Sequence, residues 1–161
     1  MKLIASEKDL LRFQLEKKER QVLLALLALY PVIPAAHQRL SKNEDRPDGD
    51  QMLEAALAAH RSENKRLIQA MVNGATAFTE NEEGCSLALS PGQIDWLLQV
   101  LNDVRVGSWI ALGSPDGPDE TLAALNTQTG RHFWAVEMAG YFQAGFLRAL
   151  GAGQKENPAG D

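Results

Sequence analysis

The sequence predicts an α+β fold, dominated by about four main helices around a hydrophobic core, with a small antiparallel sheet of two or three strands. Apolar residues recur every three or four positions in the long segments, as in amphipathic helices, and alternate with polar residues in two short segments. The chain has 161 residues, which fits one domain, and 45% of them are hydrophobic. We therefore predict a single globular domain over residues 1–150 and a flexible tail over residues 151–161.

The first element is a predicted β-hairpin over residues 2–15. Its second half places Leu11, Phe13 and Leu15 alternately with polar residues, which is the pattern of a half-buried strand. The polar residues 7–9 between the two halves indicate a turn. We expect the three apolar side chains to face the core.

A helix is predicted to begin near Glu16 or Lys17. Its body, residues 22–29, is apolar all round, which predicts burial on most sides. Pro31 lacks an amide hydrogen and clashes with the preceding turn, so we expect this helix to kink or to end near Tyr30.

The second long helix follows a polar segment. Residues 35–40 are predicted to form a short helical continuation, and residues 41–49 contain proline and glycine and predict a surface loop. Asp50 is then predicted as the N-cap of a helix that ends near Asn73, with Gly74 as a stop signal.

The next segment contains a predicted connector and a third strand. Residues 75–84 are mostly polar and predict a connector, whereas residues 85–89 alternate in the manner of a strand. Cys85 has no base close to it in sequence, so we interpret it as a small buried apolar residue. As the chain's single cysteine it excludes an internal disulfide and fits a reducing compartment such as the cytoplasm.

The central helix begins with a predicted capping box. Ser90 can accept a backbone N–H bond, Pro91 stands at the first helical position, and Gln93 completes the box. The turn-rich residues 113–118 end this helix. A short helix at residues 119–126 and a last helix at residues 131–150 complete the prediction.

Polar side chains on apolar helix faces define a candidate site. Asp103 interrupts an apolar stripe of the central helix, while His60 and Asn64 stand one turn apart on the predicted core stripe of the second long helix. A carboxylate in such a place must be hydrogen-bonded or paired, or it protonates. Asn102 and Arg105 complete this candidate polar site; the alternative is a set of structural contacts between helices.

The core stripe of the second long helix has an alternative position. It is the neighbouring face, which consists mainly of small residues: Met52, Ala56, Ala59, Glu63 and Ala70.

Aromatic residues crowd the last helix. Trp134, Tyr141, Phe142 and Phe146 exceed what a one-sided helix needs to bury, so we take them as a candidate interface with a second copy or with another protein. The alternative is that they pack in the core.

Charge and motifs exclude several function classes. The net charge is −5 and basic residues are scattered, which disfavours nucleic-acid binding. The longest apolar run, residues 22–33, is shorter than the ~20 residues of a membrane span. The sequence contains no phosphate-binding glycine loop, nucleophile elbow or set of metal ligands, so we expect no cofactor and no metal.

Residues 87–112 carry a resemblance to a known family. A strand, a proline-started helix with Trp96, and the segment Asn102, Asp103, Arg105 followed by Gly107 resemble a bacterial family catalogued as a domain of unknown function. The family has no established activity to carry over. The resemblance also implies that the gene lies near the gene of a proteolytic adaptor, which points to a regulatory role.

Together these patterns predict a non-enzymatic protein of the bacterial cytoplasm that acts as a protein–protein interaction or regulatory module. The alternative is a small-molecule-binding protein or enzyme that uses the polar cluster around Asp103.

Overall fold

The computed structural model describes residues 1–7, 9–32, 47–74 and 77–155, and within them the chain forms five helices and one four-stranded antiparallel sheet. The predicted α+β class is confirmed. In chain order the elements are β1 (Lys2–Glu7), β2 (Leu10–Leu15), α1 (Lys17–Ala28), α2 (Pro47–Asn73), β3 (Phe78–Asn81), β4 (Gly84–Leu89), α3 (Pro91–Ala111), α4 (Pro118–Ala124) and α5 (Gly130–Lys155).

The sheet consists of two hairpins joined side by side in the order β1-β2-β4-β3. The predicted first hairpin is confirmed, since β1 and β2 pair antiparallel across a short turn. Phe13 of β2 lies opposite Leu3 of β1 on one side and Leu87 of β4 on the other. This register directs the alternate apolar residues of β2 and β4 to one face of the sheet.

The strand β3 corrects the prediction of a connector over residues 75–84. Phe78 is buried and pairs with Leu87, which stabilises the short strand. The other three residues of β3 are exposed, so the sequence shows no strand pattern there. The turn ends at Gly84, whose φ of 138° is accessible mainly to glycine. A Cβ atom at Gly84 would overlap the carbonyl oxygen of Leu15, so this residue also lets the two hairpins approach.

The core lies between the inner face of the sheet and helices α1, α3 and α5. Phe13 contacts Phe146 edge to face, with the ring centroids 5.1 Å apart. Cys85 is buried as predicted. Each fully buried Leu or Phe side chain contributes about 1.5–3 kcal/mol to stability, so this layer holds the molecule together.

The apolar body of helix α1 is covered on most sides, as predicted. Leu23, Leu26 and Leu27 are buried, and Val22, Leu24 and Leu29 are partly buried and pack against the core. Only Ala25 and Ala28, which share one narrow face, are exposed in residues 22–29. The helix ends before Tyr30, in agreement with the prediction.

Helix α2 begins earlier than predicted. It starts at Pro47, inside the loop predicted at residues 41–49, so Asp50 lies within the helix and does not cap it. Proline fits the first helical position, where its missing amide hydrogen costs nothing. The end at Asn73 agrees with the prediction. The continuation predicted at residues 35–40 and the first part of the loop lie outside the described residues.

Helix α3 begins with the predicted capping box. The backbone N–H of Gln93 donates to Ser90 Oγ at 3.2 Å, and the backbone N–H of Ser90 donates to Gln93 Oε1 at 2.8 Å. One stripe along α3, on the side away from Asp103, is buried throughout. It consists of Ile94, Leu97, Leu101, Val104 and Ser108.

The last two helices agree with the prediction in place but not in length. Helix α4 covers most of the short helix predicted at residues 119–126. Helix α5 continues to Lys155, five residues past the predicted end of the last helix. A glycine such as Gly151 weakens a helix by about 1 kcal/mol. This cost does not end α5, because Phe146 and Ala149 are buried in the core just before it. Residues 156–161 lie outside the described residues.

Candidate functional site

The face that α2 buries is rotated from both faces considered in the sequence. Leu53 and His60 are exposed, and so are the small residues of the alternative face. The stripe that points inward consists of Leu57, Arg61, Asn64, Ile68 and Met71. His60 therefore lies at the margin of the helix interface, where its imidazole can meet solvent or a bound group.

Asn64 is a buried structural residue. It is 3% exposed, and its amide nitrogen donates to Tyr30 Oη at 2.9 Å. The indole Nε1 of Trp96 donates to Asn64 Oδ1 at 3.0 Å. Asn64 thus ties α2 to α3 and to the end of α1, with Tyr30 and Trp96 as its partners and not the neighbouring His60. This contact agrees with the structural alternative for Asn64.

Asp103 and His60, which come from different helices, meet at one place. Asp103 is exposed as a residue, yet partial burial of its carboxyl group raises the pKa, while the charges of His60 and Arg61 act in the opposite direction. Because the pKa of Asp103 is raised although both neighbours are basic, desolvation of the carboxyl group outweighs their attraction. Arg61 of α2 is thus a basic group of another helix whose charge acts on Asp103.

Two recesses share His60 and Asp103 in their walls. We call the pair of recesses the Asp103 groove. The first, of about 290 Å³, is lined by Tyr30, Pro31, Val32, Leu57, His60, Arg61, Asp103 and Val106. The second, of about 400 Å³, is lined by His60, Leu98, Gln99, Asn102, Asp103, Gln143 and Leu147.

The floor of the groove is the outer surface of α3, and its sides come from α2 and α5. Asn102 and Asp103 point to this surface because they lie opposite the buried stripe of α3. His60 of α2 lies on one side, and Gln143 and Leu147 of α5 lie on the other. The groove therefore combines one carboxylate, one imidazole and several amides with exposed apolar side chains.

Arg105 lies beside the groove and does not line it. Its guanidinium is about 3.8 Å from the position that a Cβ atom on Gly140 would occupy, and its Nη1 donates to Gln143 Oε1 at 3.5 Å. Of the five residues of the candidate polar site, the structure brings His60, Asn102 and Asp103 together. Arg105 is connected to them only through Gln143, and Asn64 is separate in the core.

Most groove residues were not recognised in the sequence, among them the polar Gln99 and Gln143 and the apolar Leu147. Gln99 stands one turn before Asp103, so the helical period of four could have identified it. Gln143 and Leu147 stand on a different helix, and no pattern in the sequence relates their register to that of α3.

The aromatic residues of α5 mostly belong to the core. Phe142 and Phe146 have no exposed surface and stack with centroids 6.5 Å apart. Trp134 is partly buried and packs against the core. Phe142 and Phe146 are therefore wrong as interface residues, because α5 is buried by the sheet, α1 and α3 together and not on one side alone.

Tyr141 is 43% exposed, but its hydroxyl group is engaged within the chain. It donates to Glu19, and the N-terminal ammonium donates to both Glu19 and Tyr141. The hydrogen bond to Glu19 raises the pKa of Tyr141 to about 12. Burial alone would raise the pKa of Glu19, but hydrogen bonds from the ammonium, Tyr141 and the backbone of Glu16 lower it.

The described residues contain neither a cluster of metal ligands nor a membrane-spanning helix. No three His, Cys, Asp or Glu side chains within the described ranges gather as ligands of one metal ion. Among the described helices, none is both long and apolar enough to cross a membrane. No family model, curated protein or solved structure matches the chain.

Proposed function

We propose that this protein is a non-enzymatic interaction module that binds another protein across the Asp103 groove. The observation that carries the proposal is the composition of this one face: polar groups from α2, α3 and α5 converge there, and large apolar side chains surround them while exposed to solvent. Val106 is 42% exposed and Leu147 is 57% exposed, and both line the groove.

The apolar surface extends beyond the recesses along two helices. Ile110 stands one turn after Val106 on α3, and Leu53 stands one turn before Leu57 on α2. Both are exposed to more than 40%. Exposed apolar side chains that form a continuous surface around polar groups are typical of protein interaction sites.

The proposal keeps the setting that the sequence predicts, the bacterial cytoplasm, which a single unpaired cysteine fits. The partner is a different protein or a second copy of this chain. The resemblance to a family encoded near a proteolytic adaptor favours a regulatory role and remains part of the proposal.

The test is affinity capture of the tagged protein from a lysate of its source cells, with partners identified by mass spectrometry. Leu147→Glu places a charge on the groove, so we expect it to abolish capture of the stoichiometric partner. Leu122→Glu is the matched control, since Leu122 is 68% exposed on α4 and lies outside the groove. A partner that both variants retain, or that both lose, would contradict the proposal.

A second candidate function is binding of a small molecule or catalysis at the same place. The observation that favours it is the juxtaposition of Asp103 and His60 in the walls of recesses whose volumes approach those of ligand sites. A carboxylate and an imidazole together can exchange a proton with a bound ligand. A metabolite that raises the melting temperature of the wild-type protein, but not of Asp103→Asn, would favour this candidate.

A further inference from the structure

Asp103 carries the one carboxylate among the described residues that line the groove. Among the described residues it accepts no hydrogen bond and forms no close ion pair, and its nearest basic groups are His60 and Arg61 of α2. A partly desolvated carboxylate gains most from a charged donor that can approach to hydrogen-bond distance. The groove therefore offers an electrostatic reason to recognise a cation.

The two recesses differ in charge. Arg61 lines only the recess next to Tyr30, where it offsets the charge of Asp103. Among the described residues that line the recess next to α5 there is no arginine or lysine, although Arg105 donates to Gln143 from beside it. The recess presents the amides of Gln99 and Asn102, and that of Gln143, beside Asp103 and His60. The Asp103 carboxylate can thus be approached by a cation from the side of α5.

The walls of this second recess also match the stem of a long basic side chain. Leu98 of α3 and Leu147 of α5 both line this recess, and Leu147 is 57% exposed, so apolar surface continues out of the recess. Arginine and lysine bury their methylene groups along apolar surface and keep the charged end on a polar partner. Amide oxygens beside the carboxylate can accept the remaining N–H donors of a guanidinium group.

We propose that the recess formed by α3 and α5 receives an arginine or lysine side chain of the partner protein, with its cationic end on Asp103 and its stem between Leu98 and Leu147. The inference rests on the proposed function and names the chemistry of the partner. Arg105 of the chain itself does not occupy this place, because it lies over Gly140 and donates to Gln143 from outside the recess.

The first test uses n-butylguanidinium as a probe of the full chain, followed by NMR. We expect saturable shifts of the side-chain amides of Gln99, Asn102 and Gln143. The neutral analogue n-butylurea, which has nearly the same shape, should bind about tenfold more weakly, since a hydrogen bond to a charged group is worth roughly this factor. Asp103→Asn should reduce the guanidinium affinity to the level of the urea.

Asp95→Asn provides the matched control, because Asp95 is an exposed carboxylate on the same helix and does not line the recess. It should bind n-butylguanidinium as the wild type does. Equal binding of the urea and the guanidinium, or equal loss in both aspartate variants, would overturn the inference.

The second test repeats the affinity capture with Asp103→Asn and Asp95→Asn. We expect Asp103→Asn to lose the partner and Asp95→Asn to keep it. If Leu147→Glu abolishes capture of the partner while Asp103→Asn does not, the proposed interaction surface is supported. The proposed binding of a basic side chain to Asp103 is then refuted. If the wild type binds n-butylguanidinium while Asp103→Asn still captures the partner, docking of a protein side chain is also refuted. That result would indicate a free amine as the occupant.

Discussion

Asn64 shows at the scale of one residue how a polar group in a helix stripe can be structural. Its amide accepts from Trp96 and donates to Tyr30, so both of these side chains depend on it. Asn64→Ala would leave the two partners buried and unsatisfied. We expect the free energy of unfolding to fall by about 2–4 kcal/mol, measured by urea denaturation.

The control for this variant is Asn73→Ala, an exposed asparagine at the end of the same helix. It should change the free energy of unfolding by less than about 0.5 kcal/mol. Equal effects of the two substitutions would show that the contacts of Asn64 do not stabilise the fold.

Substitution of Asp103, unlike that of Asn64, should not lower the stability of the fold at neutral pH. Because desolvation raises its folded pKa above the ordinary value of 3.8, protonation favours the folded state. As the pH falls from neutral through the folded pKa, the wild type should gain stability relative to Asp103→Asn, which cannot titrate. The gain should be complete below the unfolded value and, for an exposed group, should stay under about 1 kcal/mol.

The measurement is denaturant unfolding of both proteins between neutral and acidic pH. At neutral pH we expect Asp103→Asn to be at least as stable as the wild type. A large loss of stability in this variant at neutral pH would show that the carboxylate is a structural partner and would weaken the assignment of a binding role.

The residue scale also shows what the sequence can reveal of the site. The interruption of an apolar stripe identified Asp103, and its near neighbour Asn102, because the helical period is fixed by backbone geometry. The same argument placed Asn64 correctly in the core, but it also expected His60 there, and His60 is exposed. Alanines stand beside His60 in α2, and a helix segment rich in alanine does not indicate which side packs.

At the scale of elements, Gly84 determines how the two hairpins join. Its φ of 138° is strained for any other residue, and a Cβ atom there would overlap the backbone of Leu15. We expect Gly84→Ala to reduce the free energy of unfolding by about 2 kcal/mol or more, as measured by thermal or urea denaturation.

Gly92→Ala is the counterpart on α3. A Cβ atom at Gly92 has no neighbour within 4 Å, so alanine should leave stability unchanged or raise it by about 0.5–1 kcal/mol through helix propensity. If Gly84→Ala changed the free energy of unfolding as little as Gly92→Ala, the close contact of Gly84 with the backbone of Leu15 would be contradicted.

The contact of α1 with α5 through Glu19 and Tyr141 has a spectroscopic signature. Because the hydrogen bond to Glu19 raises the pKa of Tyr141 to about 12, stability from this group is fully present below the ordinary value of 10.0 and is lost as the pH rises toward the folded value. An ultraviolet titration of the folded protein should show a tyrosine ionising near 12.

Tyr141→Phe should remove that ionisation. Circular dichroism recorded in parallel would show over which pH range the chain remains folded, so that only this range is compared. A transition near 10 that disappears with the same substitution would contradict the hydrogen bond to Glu19.

Elements differ in how well the sequence predicts them. The hairpin of β1 and β2 and the start of α3 follow from local patterns, namely alternation and a capping box. Strand β3 is stabilised by pairing with β4 and by burial of Phe78, which are contacts between segments. The end of α5 depends likewise on packing, because its glycines alone would favour an earlier stop.

At the scale of the whole molecule, the fold separates a dry core from an open groove. The sheet with α1, α3 and α5 buries Phe142 and Phe146 and partly buries Trp134, three of the four aromatic residues that the sequence suggested for an interface. The opposite side of α3, between α2 and α5, carries Asp103 with its polar neighbours and the exposed Val106 and Leu147. The proposed binding face therefore lies where three helices meet, and no single segment of sequence contains it.

The most direct test of this account is site-specific photo-crosslinking in the source cells. A benzophenone amino acid would replace Val106 or Leu147 in the groove, and Leu122 on α4 as the matched exposed control. The account predicts a covalent adduct of one common mass from positions 106 and 147 and none from position 122. Adducts from position 122 alone, or from none of the three, would contradict a protein partner at the Asp103 groove.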